Sequence, residues 1–452
     1  MSAIRFLACV VWLAMSSFAS AAEQPPNIIF MLADDLGYGD LGCYGQQQIQ
    51  TPHLDQMARE GMRFTHFYAG STVCAPSRCA LMTGYHCGHA RIRGNGVVPL
   101  DPADVTIAEL LRERGYHTAL IGKWGLGEDA TTGIPSQQGF DSFFGYLNQN
   151  HAHNYYPDFL WRGETREAIV GNVVANGVAS ERGHYSHDLF LQEAMAFVGQ
   201  TRDRPFFLYL ALTIPHANNE AREKGMEVPS DAPYADRDWP PAQRNHAAMI
   251  TYLDAGVGQL MQRLREAGLD DNTIVCFSSD NGPHREGGAD PEFFDSNGPL
   301  RGIKRDLYDG GIRVPLIVRW PGRVKPGAVS DLVHAHWDVM PTLVELSGGM
   351  APKDIDGISL APTLLGVENR QQHEHEYLYW EFHERGFAQA IRFENFKAVR
   401  LKPDTTPEIY DIAADPGETT NLAMNRPDLV MKAEDVFRRA RTEDAAWPIK
   451  RD

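Results

Sequence analysis

The stretch Asn27 to Asp35 reads NIIFMLADD, a short apolar run that breaks off in two carboxylates. Such a run, bounded by polar residues and rich in branched and aromatic side chains, reads as a strand buried on both faces. Three other segments repeat the design. His117 to Ile121 (HTALI) runs into Gly122-Lys123, and Phe206 to Ile214 (FFLYLALTI) into Pro215-His216. Thr273 to Ser278 (TIVCFS) runs into Ser279-Asp280-Asn281-Gly282. Helical periodicity fills the spaces between them. Val105 to Arg114 stops at Gly115, and Met249 to Ala267 stops at Gly268, each with the glycine that suits a helix C-terminus. Strand alternating with helix predicts an α/β fold built on a large, mainly parallel sheet with helices on both faces. Ligands bind beyond the carboxyl ends of such strands. Any one of the four polar clusters could be an ordinary loop; together they predict one shared site.

Composition bounds the rest. With 452 residues, the chain is long enough for one large domain and a smaller one. We expect a catalytic domain over residues 23–370 and a small α+β subdomain with an antiparallel sheet over 371–452. In the latter, Tyr377 to Phe382, Phe387 to Phe393, Phe396 to Leu401 and Glu408 to Asp411 read as strands, and Pro427 to Arg441 as a closing helix. A formal net charge of -17 argues against a nucleic-acid partner, because backbone binding needs a positive surface. Arg5, the apolar run Phe6 to Ala14 and the small residues Ala19-Ser20-Ala21 form an export-signal pattern over residues 1–22. The run is too short to span a bilayer, so a periplasmic or secreted protein with no membrane span is expected. Removal of Cys9 with that signal leaves Cys43, Cys74, Cys79, Cys87 and Cys276. Five cysteines in so large a chain are not a disulfide framework, and the odd count suggests one with a chemical task. Cys276, inside an apolar run, reads as a core thiol.

The segment Cys74 to Gly84, CAPSRCALMTG, supplies that cysteine. Pro76 suits the first turn of a helix and Gly84 its end. Cys74 then sits at a helix N-terminus, where backbone N–H groups favour an anion and lower a thiol pKa. Arg78 follows one turn later on the same side.

This segment resembles the signature of the type I sulfatase family, whose cysteine is oxidised to formylglycine. The resemblance extends over most of the chain: ADDLGYGDLGCYG from Ala33, TPHLDQMAREGMRFTHFY from Thr51, GKWGLG from Gly122, SSDNGP from Ser278 and LRGIKRDLYDGGIRVP from Leu300. It implies an alkaline-phosphatase-like fold, one Ca²⁺ and a formylglycine-generating enzyme as maturation partner. The implied metal ligands are Asp34, Asp35, Asp280 and Asn281, with the modified Cys74. They suit a hard cation, which takes carboxylate and amide oxygens. The implied reaction is nucleophilic: one hydroxyl of the aldehyde hydrate takes the sulfuryl group, and the other expels sulfate by collapse to the aldehyde. Arg78 is implied to support the formylglycine, Lys123 and Lys304 to bind sulfate oxygens, and His216 to protonate the leaving oxygen.

One departure stands out. The family usually carries histidine where this chain has Gly125. We expect His151 or His153, in HAHNYYP, to enter the pocket instead. His284, Arg285, Asp295 and Asn297 flank the implied ligands and read as sugar-contacting rim residues; Tyr155, Tyr156, Trp161 and Arg162 are further candidates. The substrate is expected to be a sulfated galactose or N-acetylgalactosamine. A phosphonate monoester or phosphodiester hydrolase of the same superfamily is one alternative, which the oxygen-only ligand set opposes. A non-catalytic sulfoglycan-binding relative is the other.

Overall fold

The computed structural model describes residues 24–96, 98–200, 203–366 and 371–451. The segment read as an export signal lies outside them. Among the described residues, no helix is long and apolar enough to cross a membrane.

The four runs form the centre of a ten-stranded sheet. We call them β1 (Asn27–Asp34), β2 (His117–Lys123), β3 (Phe206–Pro215) and β4 (Thr273–Ser279). Their order is β4-β1-β3-β2, followed by Ser142–Tyr146, and all five strands are parallel. One antiparallel strand flanks this centre on each side, Leu316–Arg319 against β4 and Phe159–Arg162 against Ser142–Tyr146, and shorter strands lie beyond them. Burial on both faces explains the unbroken apolar runs. Ile29, Met31 and Ala33 face one core with Leu54, Phe190 and Leu253 of the helices Pro52–Glu60, Ser186–Gly199 and Pro241–Glu266. Ile28, Phe30 and Leu32 face the other, with Cys79, Leu111 and Leu343 of Cys74–Thr83, Ile107–Glu113 and Val339–Leu346. Cys276 lies in this second core, as its sequence setting suggests.

Register aligns the polar ends. Ala33 pairs with Ser279 and Asp34 with Pro215, so Asp35, Asp280 and His216 leave the sheet at one level. Gly122 is required where Lys123 leaves: its φ is +110°, and a Cβ would lie 1.9 Å from the Ala211 carbonyl oxygen.

Helix starts differ from the periodicity. The long helix begins at Pro241 rather than Met249, and the shorter at Ile107 rather than Val105. Thr106 and Glu109 form a reciprocal capping box there, and that local chemistry, not apolar spacing, sets the first turn.

The C-terminal strands Leu378–Phe382, Ala388–Phe393, Phe396–Arg400 and Glu408–Asp411 form an antiparallel sheet in chain order. One face packs on the helix Pro427–Arg439 through Ile391, Ala433 and Phe437. The other packs on Tyr68, Val73 and Trp337 of the larger unit. Trp380 Nε1 donates to the Ala69 carbonyl at 2.9 Å.

A buried charge cluster fixes this junction. Lys397 Nζ, fully buried, lies 2.7 Å from Asp309 Oδ1 and 3.2 Å from Glu418 Oε1. Burial pushes the Glu418 carboxyl up to about 7, and Lys397 is the leading force opposing that rise. Replacing Lys397 with Met leaves two buried carboxylates short of their cation. The expected cost is about 3–5 kcal/mol, read as a lower urea midpoint; an unchanged midpoint would show that Arg313 alone balances the pair.

Candidate active site

Cys74 is the first residue of the helix Cys74–Thr83, and every residue of that helix is buried. Its Sγ lies 3.4 Å from Asp34 Oδ1. Arg78, one turn on, reaches the same place from below. Its Nε and Nη2 donate to Asp280 Oδ2 at 3.0 and 2.8 Å, and its Nη1 to the Lys123 carbonyl at 2.8 Å. Nη2 also lies 3.5 Å from Asp34. Ser77 braces the helix from behind: its hydroxyl meets His336 Nδ1 at 3.1 Å, and the other ring nitrogen meets Ser278 of β4.

The remaining cations each pair with one carboxylate of the acid pair Asp34-Asp35. Lys123 Nζ donates to Asp34 Oδ2 at 2.6 Å. Lys304 Nζ donates to Asp35 Oδ2 at 2.7 Å and lies 3.0 Å from His216 Nε2. Asp280 Oδ1 accepts from the Asp35 backbone N–H at 3.1 Å, helped by the left-handed φ of 63° at Asp35. His216 Nδ1 donates to the Ala217 carbonyl at 2.6 Å, which leaves Nε2 facing the pocket. Behind it, the Tyr155 hydroxyl bonds the Thr213 and His216 carbonyls.

Burial sets the electrostatics. It works against charge on Asp34, but Lys123 foremost reverses this and holds the carboxyl well below its usual range. Burial, then Asp34, lifts Asp280 to about 7. Burial, then Lys304, holds His216 well below the ordinary imidazole value. The Cys74 thiol is pushed well above its usual value, first by burial and then by Asp34. This corrects the expectation from the helix N-terminus alone: two carboxylates and desolvation outweigh the backbone N–H groups.

The residues present fit a divalent cation with oxygen ligands. Asp34, Asp35, Cys74 and His216 each offer a ligand atom within 4.8 Å of the others. Asn281 Nδ2 is engaged by Asp35 Oδ1 at 2.7 Å, while its Oδ1 is buried with no hydrogen-bond partner. A buried, unpartnered amide oxygen next to Asp280 in the chain, on a side chain held by Asp35, is a donor of the kind a hard cation takes.

The two histidine candidates separate. His153 stacks on His216, with ring centroids 4.7 Å apart and planes 15° apart, and its Nδ1 meets Glu220 at 3.2 Å. His151 turns the other way, stacked on Phe159 at 4.3 Å and edge-on to Tyr146. Burial lowers its pKa to about 4.

The rim candidates mostly serve the loops that carry them. His284 is buried, with Nε2 donating to the Pro215 carbonyl at 3.1 Å and Nδ1 accepting from Glu286 N at 3.0 Å. Exposed Arg285 pairs with Glu292 at 2.6 Å. Asp295 is an exposed turn residue with φ 58°. Asn297 Nδ2 donates to the Leu300 and Gly302 carbonyls and so shapes the approach to Lys304. Tyr155, Tyr156 and Trp161 are core, and Arg162 pairs with Glu193 and Glu167 on an outer strand.

Three residues that the sequence reading passed over stand at the site. Glu286 Oε2 is 3.3 Å from Lys304 Nζ and 3.9 Å from His216 Nε2. Its position soon after Asp280-Asn281 was the available signal. Asn95 Oδ1 accepts from the Ala75 N–H at 3.0 Å and from Gln149 Nε2 at 3.3 Å. Nothing in their local sequence marks either residue.

Comparison with known proteins places the chain in a family. A family model described as Sulfatase matches residues 26–350, and one described as N-sulphoglucosamine sulphohydrolase, C-terminal, matches residues 303–437. Arylsulfatase A of Homo sapiens is 34% identical over 455 residues, covering 89% of this chain and 84% of that protein. N-acetylgalactosamine-6-O-sulfatase of Bacteroides thetaiotaomicron is 30% identical over 507 residues, covering 93% and 94%. The crystal structure of Ps i-CgsB in complex with k-i-k-neocarrahexaose superposes with a TM-score of 0.79 at 27% identity, covering 94% of this chain and 95% of that one. Matched along most of its length by the family model and by both relatives, the chain belongs to the sulfatase family and is a sulfuric ester hydrolase.

Proposed function

We propose that the protein is a Ca²⁺-dependent carbohydrate sulfatase whose nucleophile is a formylglycine made from Cys74. The observation that carries this reading is the placement of Cys74 Sγ 3.4 Å from Asp34, in one cluster with Asp35, the carboxylate that also engages the amide of Asn281. Asp34, Asp35, Asp280 and Asn281 would hold the metal through oxygen, which favours a hard cation over a transition metal. That donor set also weighs against the phosphonate or phosphodiester hydrolase alternative. Bound together, the cation and the aldehyde hydrate supply polarisation of the ester and a nucleophile that can release its own product.

The chain's own residues do the rest. Arg78 is fixed by Asp280 and orients the turn that carries residue 74. Lys123, paired with Asp34, and Lys304, paired with Asp35, donate to the sulfate oxygens as charge develops. The Ala217 carbonyl holds His216 Nδ1–H, so Nε2 is the atom aimed at the leaving oxygen; it can hand over a proton once a bound anionic ester has raised the ring's proton affinity and Nε2 has taken one up. His153 keeps that ring in place by stacking. The names of the relatives suggest a sulfated galactose or N-acetylgalactosamine unit as substrate. The signal-like segment supports a periplasmic or secreted location, with maturation by a formylglycine-generating enzyme.

Co-produced with such an enzyme, the protein should release sulfate from sulfated galactosides or N-acetylgalactosaminides only with Ca²⁺ present. Cys74→Ala should be inert. No release, with the aldehyde at residue 74 confirmed by mass spectrometry, would count against this substrate class. Asn281→Ala should weaken Ca²⁺ binding on the order of a hundredfold by titration calorimetry; unchanged affinity would place the ion elsewhere. His153→Ala should lower kcat about tenfold or more by freeing the His216 ring, with His151→Ala close to wild type. Equal effects of the two would remove His153 from the reaction.

A further inference from the structure

The helix that presents Cys74 is capped from outside its own sequence. Its N-cap, Val73, makes no side-chain cap bond. Instead the Ala75 N–H donates to the side-chain oxygen of Asn95, twenty residues on, at 3.0 Å. Gln149 Nε2 donates to the same oxygen at 3.3 Å. Two N–H donors on one amide oxygen fix which way that amide points. The NH₂ end must face away from both, and Asn95 is exposed. A donor of fixed orientation therefore stands on the outer lip, beside the residue adjoining Cys74.

Gln149 is held there by the Lys123 loop. Trp124 N donates to the Tyr146 carbonyl at 2.9 Å and Gly125 N to the Leu147 carbonyl at 3.1 Å. Gly125 has φ +78°, and a Cβ on it would stand 3.2 Å from Gln149 Cδ. Any other residue at 125 would be strained and would press on the Gln149 amide. Gly125, Gln149 and Asn95 thus form one construction, uncharged throughout.

We propose that Asn95 binds the sugar side of the substrate through its amide NH₂, and that Gln149 is the positioning residue that fixes this amide. The proposal rests on the carbohydrate-sulfatase reading and adds a specificity determinant to it. An uncharged donor suits a hydroxyl or ring oxygen of the glycosyl unit.

Asn95→Asp is the informative variant. It keeps the oxygen that caps Ala75, since Asp caps as well as Asn, but loses the NH₂. Steady-state rates would be measured on N-acetylgalactosamine 6-sulfate and on para-nitrophenyl sulfate, which has no sugar, and normalised to the aldehyde content at residue 74. The expected result is an unchanged melting temperature and a KM raised about tenfold on the sugar ester only, as for a lost substrate hydrogen bond. Gln149→Ala should give a smaller rise on the same ester. Equal changes on both esters, or none on either, would reduce Asn95 to a helix cap and overturn the proposal. If the wild-type enzyme cleaves neither ester, the hydrolysis reading fails separately. The Asn95 proposal is then decided by calorimetric binding of N-acetylgalactosamine 6-sulfate against inorganic sulfate. A loss confined to the sugar ligand in Asn95→Asp supports it, and any other pattern overturns it.

Discussion

Asp34, Asp35 and Asp280 have no appreciable contact with solvent, and the site depends on how their charge is balanced. A buried carboxylate without a partner is costly by several kcal/mol. Here Arg78, Lys123 and Lys304 supply the balance, each from a different part of the chain. Arg78 comes from the helix Cys74–Thr83, Lys123 from the end of β2, and Lys304 from the loop beyond β4. None of these segments can withdraw without stranding a charge. The electrostatic requirement that holds the three carboxylates therefore also holds together the parts proposed to grip a sulfate ester. With Glu286 and its partner Arg305 included, four acids against four bases leave the cluster near neutral. A divalent cation and an anionic ester arriving together add little net charge, which a buried site can tolerate more readily than either alone.

The same balance explains Cys74. A helix N-terminus favours an anion, yet the thiol is held protonated by burial and by Asp34 and Asp280. As a bare cysteine it is poorly placed to act as a thiolate. Proximity to a carboxylate suits a hydroxyl that must lose a proton, as the proposed aldehyde hydrate would. The surroundings of residue 74 thus disfavour a thiolate there.

The sequence made the centre of the fold legible because strands buried on both faces carry no alternation to blur their ends. Their polar ends were legible too, since Asp34, Lys123, His216 and Asp280 each follow an apolar run directly. The rim was not. His284, Arg285, Asp295 and Asn297 lie in loops, and which way a loop side chain points is decided by contacts that sequence spacing does not encode. His151 and His153 show the limit well. They sit two residues apart in one 3₁₀ turn, yet one joins an aromatic core and the other stacks on His216. Asn95 and Gln149 were missed for a related reason: their meaning lies in a shared oxygen that neither segment reveals alone.

The C-terminal sheet also reaches the site. Arg305, next to Lys304, has a left-handed φ of 76°, a conformation that costs a non-glycine residue energy unless its surroundings hold it. Its backbone N–H donates to the Thr72 carbonyl at 3.1 Å. Its guanidinium is clasped between Glu286 at 2.5 Å and Glu384 at 3.1 Å. Glu384 lies in the turn between the strands Leu378–Phe382 and Ala388–Phe393. That clasp connects the C-terminal sheet, through Arg305 and Glu286, to Lys304 and His216. The junction set by Lys397, Asp309 and Glu418 fixes where that turn falls. The C-terminal unit is thus part of what positions the Lys304 loop. A change in its packing would be felt at Lys304 before it was felt at the central strands, whose own register is complete without it.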